Sequence, residues 1–354
     1  MAAPVIDAPP PVGPVATRPG VRWIPAVRGF YRIMRSNPLS FVGFLLVVAI
    51  LVLSALVVVD PHAVVPYGAS QQTGAYTAPP TLFRWPPGGA HPFGTDGGSL
   101  DIYSEVLLAL PLDVGIGVLI AGLALILGGA LGLVAGFWDR PGTLGGVGSA
   151  VILRTTDVFL AFPSLVLGLA IVAALGPGLW QVILAVTITW WPYYVRLVRG
   201  EVLAIKHLPY VVAARAAGVG EGRILLRHVL RNVLEPIVVY FTLDIGTILV
   251  TFSTIAYVIP QGVPYPPVGA ARPEWGSMMS YYYGNALFSQ EWWAIVFPAL
   301  AIFVTALSFS LLGDGLRDVL DPRTRRALAE TSTSAAGGTP VGASTASVHP
   351  TEGG

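Results

Sequence analysis

The chain has 354 residues, of which 54% are hydrophobic and only 11% are charged, with a mean hydropathy of +0.70. So few charges cannot cover a soluble globule, so lipid must surround much of the chain. A formal net charge of +1 argues against a nucleic-acid partner, and the absence of cysteine excludes disulfides, thiol nucleophiles and cysteine-based metal sites.

The two ends of the chain lack apolar periodicity and are rich in Pro, Ala and Val or in Gly, Ser and Thr. This composition is typical of disordered tails. We predict an N-terminal tail over residues 1–27, a membrane domain over 28–326 and a C-terminal tail over 327–354.

Six apolar stretches approach the roughly 20 residues that a helix needs to cross a bilayer. They cover residues 39–59, 112–137, 152–175, 179–198, 233–259 and 292–312. The sequence therefore predicts an all-α membrane protein with six transmembrane helices. With a cytoplasmic N-terminus, every Lys and Arg except Arg84 and Arg272 falls on the cytoplasmic side or at its boundary, so both termini are predicted to be cytoplasmic.

Runs of Trp and Tyr at residues 190–194, 281–283 and 292–293 lie near predicted span ends. Their rings favour anchoring at the membrane interface over stacking on a substrate. Glycines in the second stretch recur every three to four residues, which predicts close helix packing. They are Gly128, Gly129, Gly132 and Gly136.

Three acidic residues lie in or near apolar spans, where a carboxylate is costly and is a functional candidate by default. Asp157 follows Arg154 by three residues, which predicts an ordinary ion pair. Asp244 lies deeper, near several threonines, and either lines a pathway or makes a buried helix contact. Asp113 is the third.

The cytoplasmic segment 201–232 contains two short helical patterns separated by glycines, which permit a sharp turn. Ala213 and Ala214, with Ala216 and Ala217, keep the first helix slim enough to enter a groove on another protein. The periodicity alone also fits an amphipathic helix lying on lipid.

The single lysine, Lys206, has no glycine-rich loop before it and no Ser or Thr after it, so the chain lacks a Walker-type ATP site. Five scattered histidines give no reason to predict a metal site or a catalytic set. We expect no enzymatic activity and no cofactor. Any ATP hydrolysis belongs to other chains.

Several runs together resemble the permeases of ATP-binding-cassette importers, in particular the C-type subunit of the oligopeptide, dipeptide and nickel branch. The cytoplasmic signature of that family matches Val-Ala-Ala at 212–214, Gly218, and His-Val-Leu-Arg at 228–231. Further matches occur at 91–96 (His-Pro-Phe-Gly-Thr-Asp), 154–164, 273–276 and 312–323. The resemblance covers roughly residues 28–326. It departs at Val212, where the family has Glu, and at Arg231, where it has Pro.

The resemblance implies a type I importer fold with a cytoplasmic coupling helix in the plasma membrane. It also implies four partners: a homologous second permease, two cytoplasmic ATP-binding subunits and an extracytoplasmic solute-binding protein. The ATPase contacts it implies are Tyr210, Ala213, Ala214, Arg215 and Gly218. The family glutamate makes a polar ATPase contact that Val212 cannot make, and Arg231 restores a backbone donor. Family members carry peptides, nickel chelates or oligosaccharides, and no motif here selects among them.

The alternative is a secondary, proton-coupled transporter that uses Asp113, Asp157 or Asp244. Such carriers usually show two corresponding halves with broken helices, and no internal repeat is evident here. A membrane enzyme is disfavoured because the sequence contains no catalytic cluster.

Overall fold

The computed structural model describes residues 37–67, 85–96, 100–259, 273–289 and 291–320. The two predicted disordered tails, 1–27 and 327–354, lie outside the described residues, as do Arg84 and Arg272. The described part is helical, with two isolated β-bridges, Gly88 to His91 and Thr95 to Asp101, and no strand.

The first half of the described chain forms five long helices, after the first of which comes a 3₁₀ turn at Pro61–Ala63. They are α1 (Pro38–Val59), α2 (Ile102–Phe137), α3 (Leu144–Leu160), α4 (Ser164–Leu175) and α5 (Leu179–Ile205).

The second half contains two short helices and three longer ones. They are α6 (Pro209–Ala216), α7 (Glu221–Ile224), α8 (Leu230–Val258), α9 (Trp275–Ser289) and α10 (Trp293–Leu320), with a π-helical turn at Leu225–Val229 joining α7 to α8.

Four described helices are long and apolar enough to cross a membrane: α1, α2, α10 and the continuous stretch Glu221–Val258 that ends in α8. The bent pair of α3 and α4 gives a fifth candidate when taken as one span. With 27 residues α5 is also long enough, but Gln181, Arg196 and its aromatic run lower its mean hydropathy. Each of the six predicted stretches therefore corresponds to a helix or to the bent pair.

The third predicted span, residues 152–175, is not one straight helix. It consists of the end of α3 and the whole of α4, bent by 89°. Pro163 lies at the bend, with φ −58° and ψ 126°. Proline disfavours helical conformation at the residue before it and lacks an N–H group, so the helix stops and restarts there.

The second predicted span begins ten residues earlier than its hydropathy suggests. Asp101 caps the N-terminus of α2, accepting hydrogen bonds from the Ser104 N–H (2.9 Å) and hydroxyl (2.6 Å). A side chain that satisfies the first free N–H groups fixes where a helix begins. Helix α9, inside the predicted external segment, is a second element that hydropathy did not indicate.

The most extensive helix contact joins α2 to α5, along the predicted glycines. A Cβ atom on Gly132 would lie 2.8 Å from the Val195 carbonyl oxygen, and one on Gly136 would lie 2.8 Å from the Val202 Cβ. The predicted close packing is therefore confirmed. Only glycine allows the two backbones to approach this closely.

On the other side of α2, helix α8 packs against both α2 and α10, and α1 packs against α10. The main hydrophobic core runs through these helices and includes Ile120, Ile248 and Phe252, all fully buried. The Asn37 amide donates a 3.2 Å hydrogen bond to Asp318, which brings the beginning of α1 next to the end of α10.

Candidate functional site

Helix α6 is the slim helix of the predicted docking segment, residues 201–232. It starts with Pro209, whose missing N–H costs nothing at a first helical turn. It ends in a Schellman motif, in which Gly218 has φ +77°, its N–H donates to the Arg215 carbonyl, and Val219 N–H donates to the Ala214 carbonyl. The positive φ explains why the turn needs glycine at 218.

The predicted ATPase contacts divide between two faces of α6. Tyr210, Ala213 and Gly218 are exposed, and so is Val212 at 50%. Ala214 instead packs with fully buried Val211 on a second hydrophobic core formed by the ends of α5 and α8. One face of the helix is thus available and the other is fixed to the membrane domain.

Arg215, the remaining predicted contact, forms an ion pair within the chain. Its guanidinium donates to both Glu221 carboxylate oxygens, at 3.0 and 3.3 Å. Arg140, in the connection between α2 and α3, donates to the same carboxylate at 2.8 Å. Glu221 therefore joins the docking helix to the end of α2. Sequence reasoning missed this triad because Arg140 lies 81 residues away from Glu221.

Lys206 makes a second contact between the docking segment and the end of α2. Its buried ammonium donates to the carbonyls of Gly136 at 2.9 Å and Asp139 at 3.4 Å, so it caps the C-terminal end of α2. Burial lowers the pKa of Lys206, and the nearby Asp139 carboxylate acts in the opposite direction. Arg199 pairs with Asp139 at 2.7 Å. The single lysine of the chain is structural.

The substitution of proline by Arg231 falls near the start of α8, where the helix continues without a break from the π-helical turn. Arg231 is exposed. The backbone N–H that Arg231 restores therefore lies within a continuous helix.

A cavity of about 440 Å³ lies between α5 and α8. Its walls carry Trp190, Tyr193, Tyr194, Tyr240, Asp244 and Thr247. The aromatic run 190–194 is near the middle of α5 rather than at its end, and Trp190, Trp191 and Tyr194 are buried. Most of this run therefore packs inside the protein, while Tyr193 is 46% exposed, and its anchoring at the membrane interface stays a prediction.

The three candidate carboxylates occupy different environments. Asp244 is half-buried and lines the same cavity as Tyr194. Asp157 pairs with Arg196 of α5 at 2.7 Å, so the predicted Arg154 partner is wrong. The crossing of α3 and α5 brings Arg196 to Asp157, whereas Arg154 lies on the same helix as Asp157. Asp113 is fully buried and accepts a 3.3 Å hydrogen bond from the Trp275 N–H.

The run at 91–96 forms part of a compact structure at the other end of the molecule, which we call the cap: residues 91–96, 100–101 and 273–282. Asp96 accepts hydrogen bonds from the Leu100 N–H at 2.7 Å and the Tyr282 hydroxyl at 3.2 Å. The Trp293 indole donates to the Thr95 carbonyl at 2.9 Å. These contacts tie the cap to α9 and α10.

The run at 273–276 completes the cap. Glu274 accepts hydrogen bonds from the N–H groups of Gly276 and Ser277, both at 2.7 Å, at the start of α9. The Trp275 indole donates to the Val106 carbonyl of α2 at 3.0 Å. Across the described residues, no group of three or more His, Asp or Glu side chains has the arrangement of a metal site.

A comparison with known families decides the class of protein. The family described as "binding-protein-dependent transport system inner membrane component" matches residues 128–326, which include α5, the docking segment and the cavity. The chain belongs to this family.

Individual relatives agree. The permease is 38% identical over 240 residues to the probable D,D-dipeptide transport system permease protein DdpC of Escherichia coli (strain K12), covering 67% of this chain and 75% of the relative. It is 35% identical over 304 residues to the glutathione transport system permease protein GsiD of Escherichia coli O6:K15:H31, covering 83% and 89%. A putative peptide transport system permease of Brucella suis is 38% identical over 238 residues, covering 67% and 75%.

Family membership confirms an ATP-binding-cassette importer permease of the peptide branch, a multi-pass membrane protein with the type I fold. The permease is a transport subunit and not an enzyme, and it works with ATPase and solute-binding partners. Nothing in the relatives supports the secondary transporter that we weighed as an alternative.

Proposed function

We propose that the permease forms half of the pathway of a peptide importer. Its partners in this proposal are a homologous second permease subunit, two cytoplasmic ATP-binding subunits and one extracytoplasmic solute-binding protein. The substrate class is supported by the relatives, which are named as dipeptide, peptide and glutathione permeases.

Helix α6 is the proposed coupling helix, and the observation that carries this role is its two-faced packing. Val211 and Ala214 fix one face on the membrane domain, while Tyr210, Ala213 and Gly218 leave a slim exposed face. An ATPase groove that receives this face would move α6, and the buried contacts would pass that movement to α5 and α8. Arg215 acts through Glu221, which holds α6 against the end of α2.

Both termini are proposed to be cytoplasmic, on the same side as α6. The hydrogen bond between Asn37 and Asp318 supports a common side for the beginning of α1 and the end of α10. The segregation of Lys and Arg supports the cytoplasm as that side. Asp244 is the proposed pathway-lining residue because it faces a cavity at the middle of two spanning helices.

Copurification tests the docking role. The permease is co-expressed with the candidate ATPases and second permease from its own gene neighbourhood, and the wild type is compared with Gly218→Trp. The large side chain should block the groove contact, and we expect at least about a tenfold loss of copurified ATPase.

Gly142→Trp is the matched control, because Gly142 has φ +76°, like the +77° of Gly218, and a Cβ atom would meet nothing within 4 Å at either position. Both variants carry the same backbone strain, so thermal unfolding should shift equally. If no ATPase copurifies with the wild type, or if both variants lose it equally, the coupling role of α6 is refuted.

A further inference from the structure

The cavity between α5 and α8 combines aromatic walls with one acidic group. Trp190, Tyr193, Tyr194 and Tyr240 line it together with the half-buried Asp244. Its volume of about 440 Å³ lies within the range of small-ligand sites.

Among the described residues, no ion pair joins Asp244 to a basic side chain. In the part of the chain that the structure describes, the basic residues that form ion pairs are Arg140, Arg196, Arg199, Arg215 and His91, and each pairs with another acid. Tyr194 lies on the same cavity wall. A carboxylate held inside a membrane protein is costly unless a positive charge accompanies it.

We propose that this cavity binds the protonated amine of the transported solute, in the simplest case the N-terminal ammonium of a short peptide. The ammonium would lie against Asp244 and the faces of the surrounding rings. The proposal rests on the peptide-importer function above and adds the chemical group that the pathway recognises.

The wall chemistry favours an ammonium group over other solute groups. Aromatic faces attract cations, and the attraction grows when water is displaced from the contact. The same rings supply no positive charge for a peptide carboxylate, which Asp244 would repel. The ammonium also brings the positive charge that the half-buried carboxylate lacks, so binding offsets part of the cost of holding that carboxylate in the membrane domain.

The test uses the full-length permease in lipid nanodiscs and two probes that differ only at the amine: L-alanyl-L-alaninamide and its N-acetyl derivative. Both lack a C-terminal charge. Isothermal titration or saturation-transfer NMR measures their dissociation constants. We expect the free amine to bind at least about tenfold more tightly in the wild type.

Asp244→Asn keeps the shape of the side chain and removes its charge, so the preference should fall below about twofold. Asp157→Asn is the matched control: it also removes one carboxylate from a helix pair but lies outside the cavity, and it should keep the full preference. Tyr240→Leu should weaken binding of the amine while Tyr240→Phe retains it, since the ring face supplies the attraction.

Equal binding of the two probes to the wild type, binding of neither, or an unchanged preference in Asp244→Asn would each overturn the proposal. These results are separate from the docking test, which measures ATPase copurification. An ATPase complex that copurifies with a permease showing no amine preference would support the importer proposal and refute the ammonium site.

Discussion

The cap and the docking segment lie at opposite ends of the permease and are held together in opposite ways. In the cap, carboxylates such as Asp96, Asp101 and Glu274 are buried and their oxygens accept hydrogen bonds from backbone N–H groups. In the docking segment, Glu221 and Arg215 are each about one-third exposed and pair with each other.

The two regions therefore show two different roles of polar residues. A buried carboxylate that satisfies several N–H groups fixes a backbone shape, and removing it leaves donors unpaired. A half-exposed ion pair contributes little stability but can orient a helix. We therefore expect changes in the cap to alter folding and changes in the docking segment to alter coupling.

Trp275→Ala should give the largest effect. Its side chain is 1% exposed and its indole donates to the Val106 carbonyl, so truncation leaves a large cavity and removes this hydrogen bond. We expect a loss of about 3–5 kcal/mol in the free energy of unfolding, measured by denaturation in detergent. Trp292→Ala is the control, because Trp292 is 56% exposed and should cost under about 1 kcal/mol. Similar losses for both would contradict the structural role of the cap.

Lys206→Met should have an effect on stability of intermediate size. It sharpens the comparison between the cap and the docking segment, because Lys206 is a buried polar contact inside the docking segment. The methionine keeps much of the length of the side chain but cannot donate to the Gly136 and Asp139 carbonyls. We expect a loss of about 1–3 kcal/mol in the same denaturation experiment. Arg223→Met removes an exposed cation nearby and should change stability by under about 0.5 kcal/mol. Equal stability of both variants would show that Lys206 does not stabilise the C-terminal end of α2.

Glu221→Gln should have the smallest effect on stability, under about 1 kcal/mol, because both of its ion pairs are partly exposed. It should nevertheless lower ATPase copurification severalfold, since α6 loses its tie to Arg140. High salt should reproduce part of this loss in the wild type. Asp157→Asn breaks an exposed pair outside the docking segment and should leave copurification unchanged. A large stability loss with normal copurification would show that Glu221 stabilises the fold and does not orient α6 for ATPase binding.

Some elements were predictable because their signals are local. Residues 39–59 predicted α1 almost to the residue, since a continuous apolar run of that length has one stable form in lipid. The glycine spacing of α2 predicted a close helix contact, and the glycines and alanines of the docking segment predicted a short helix ending in a sharp turn.

Other features were missed because hydropathy does not record helix caps, or because the partners are distant in the chain. The early start of α2 comes from Asp101, and the helix α9 comes from Glu274, and neither signal is visible in hydropathy. The partner of Asp157 is Arg196 because α5 crosses α3 there. Sequence spacing favoured Arg154, since a one-dimensional pattern records neighbours on the same helix only.

The sequence by itself determined the class of this protein, because lipid leaves helices as the satisfactory form for long apolar stretches and because the motif runs occur in family order. The tertiary structure alone decided which polar groups meet. It buried the cap carboxylates against backbone donors, joined Arg215 to Arg140 through Glu221, and placed part of an aromatic run on the same cavity wall as Asp244. These pairings depend on how helices cross, and the crossing is set by packing over the whole chain.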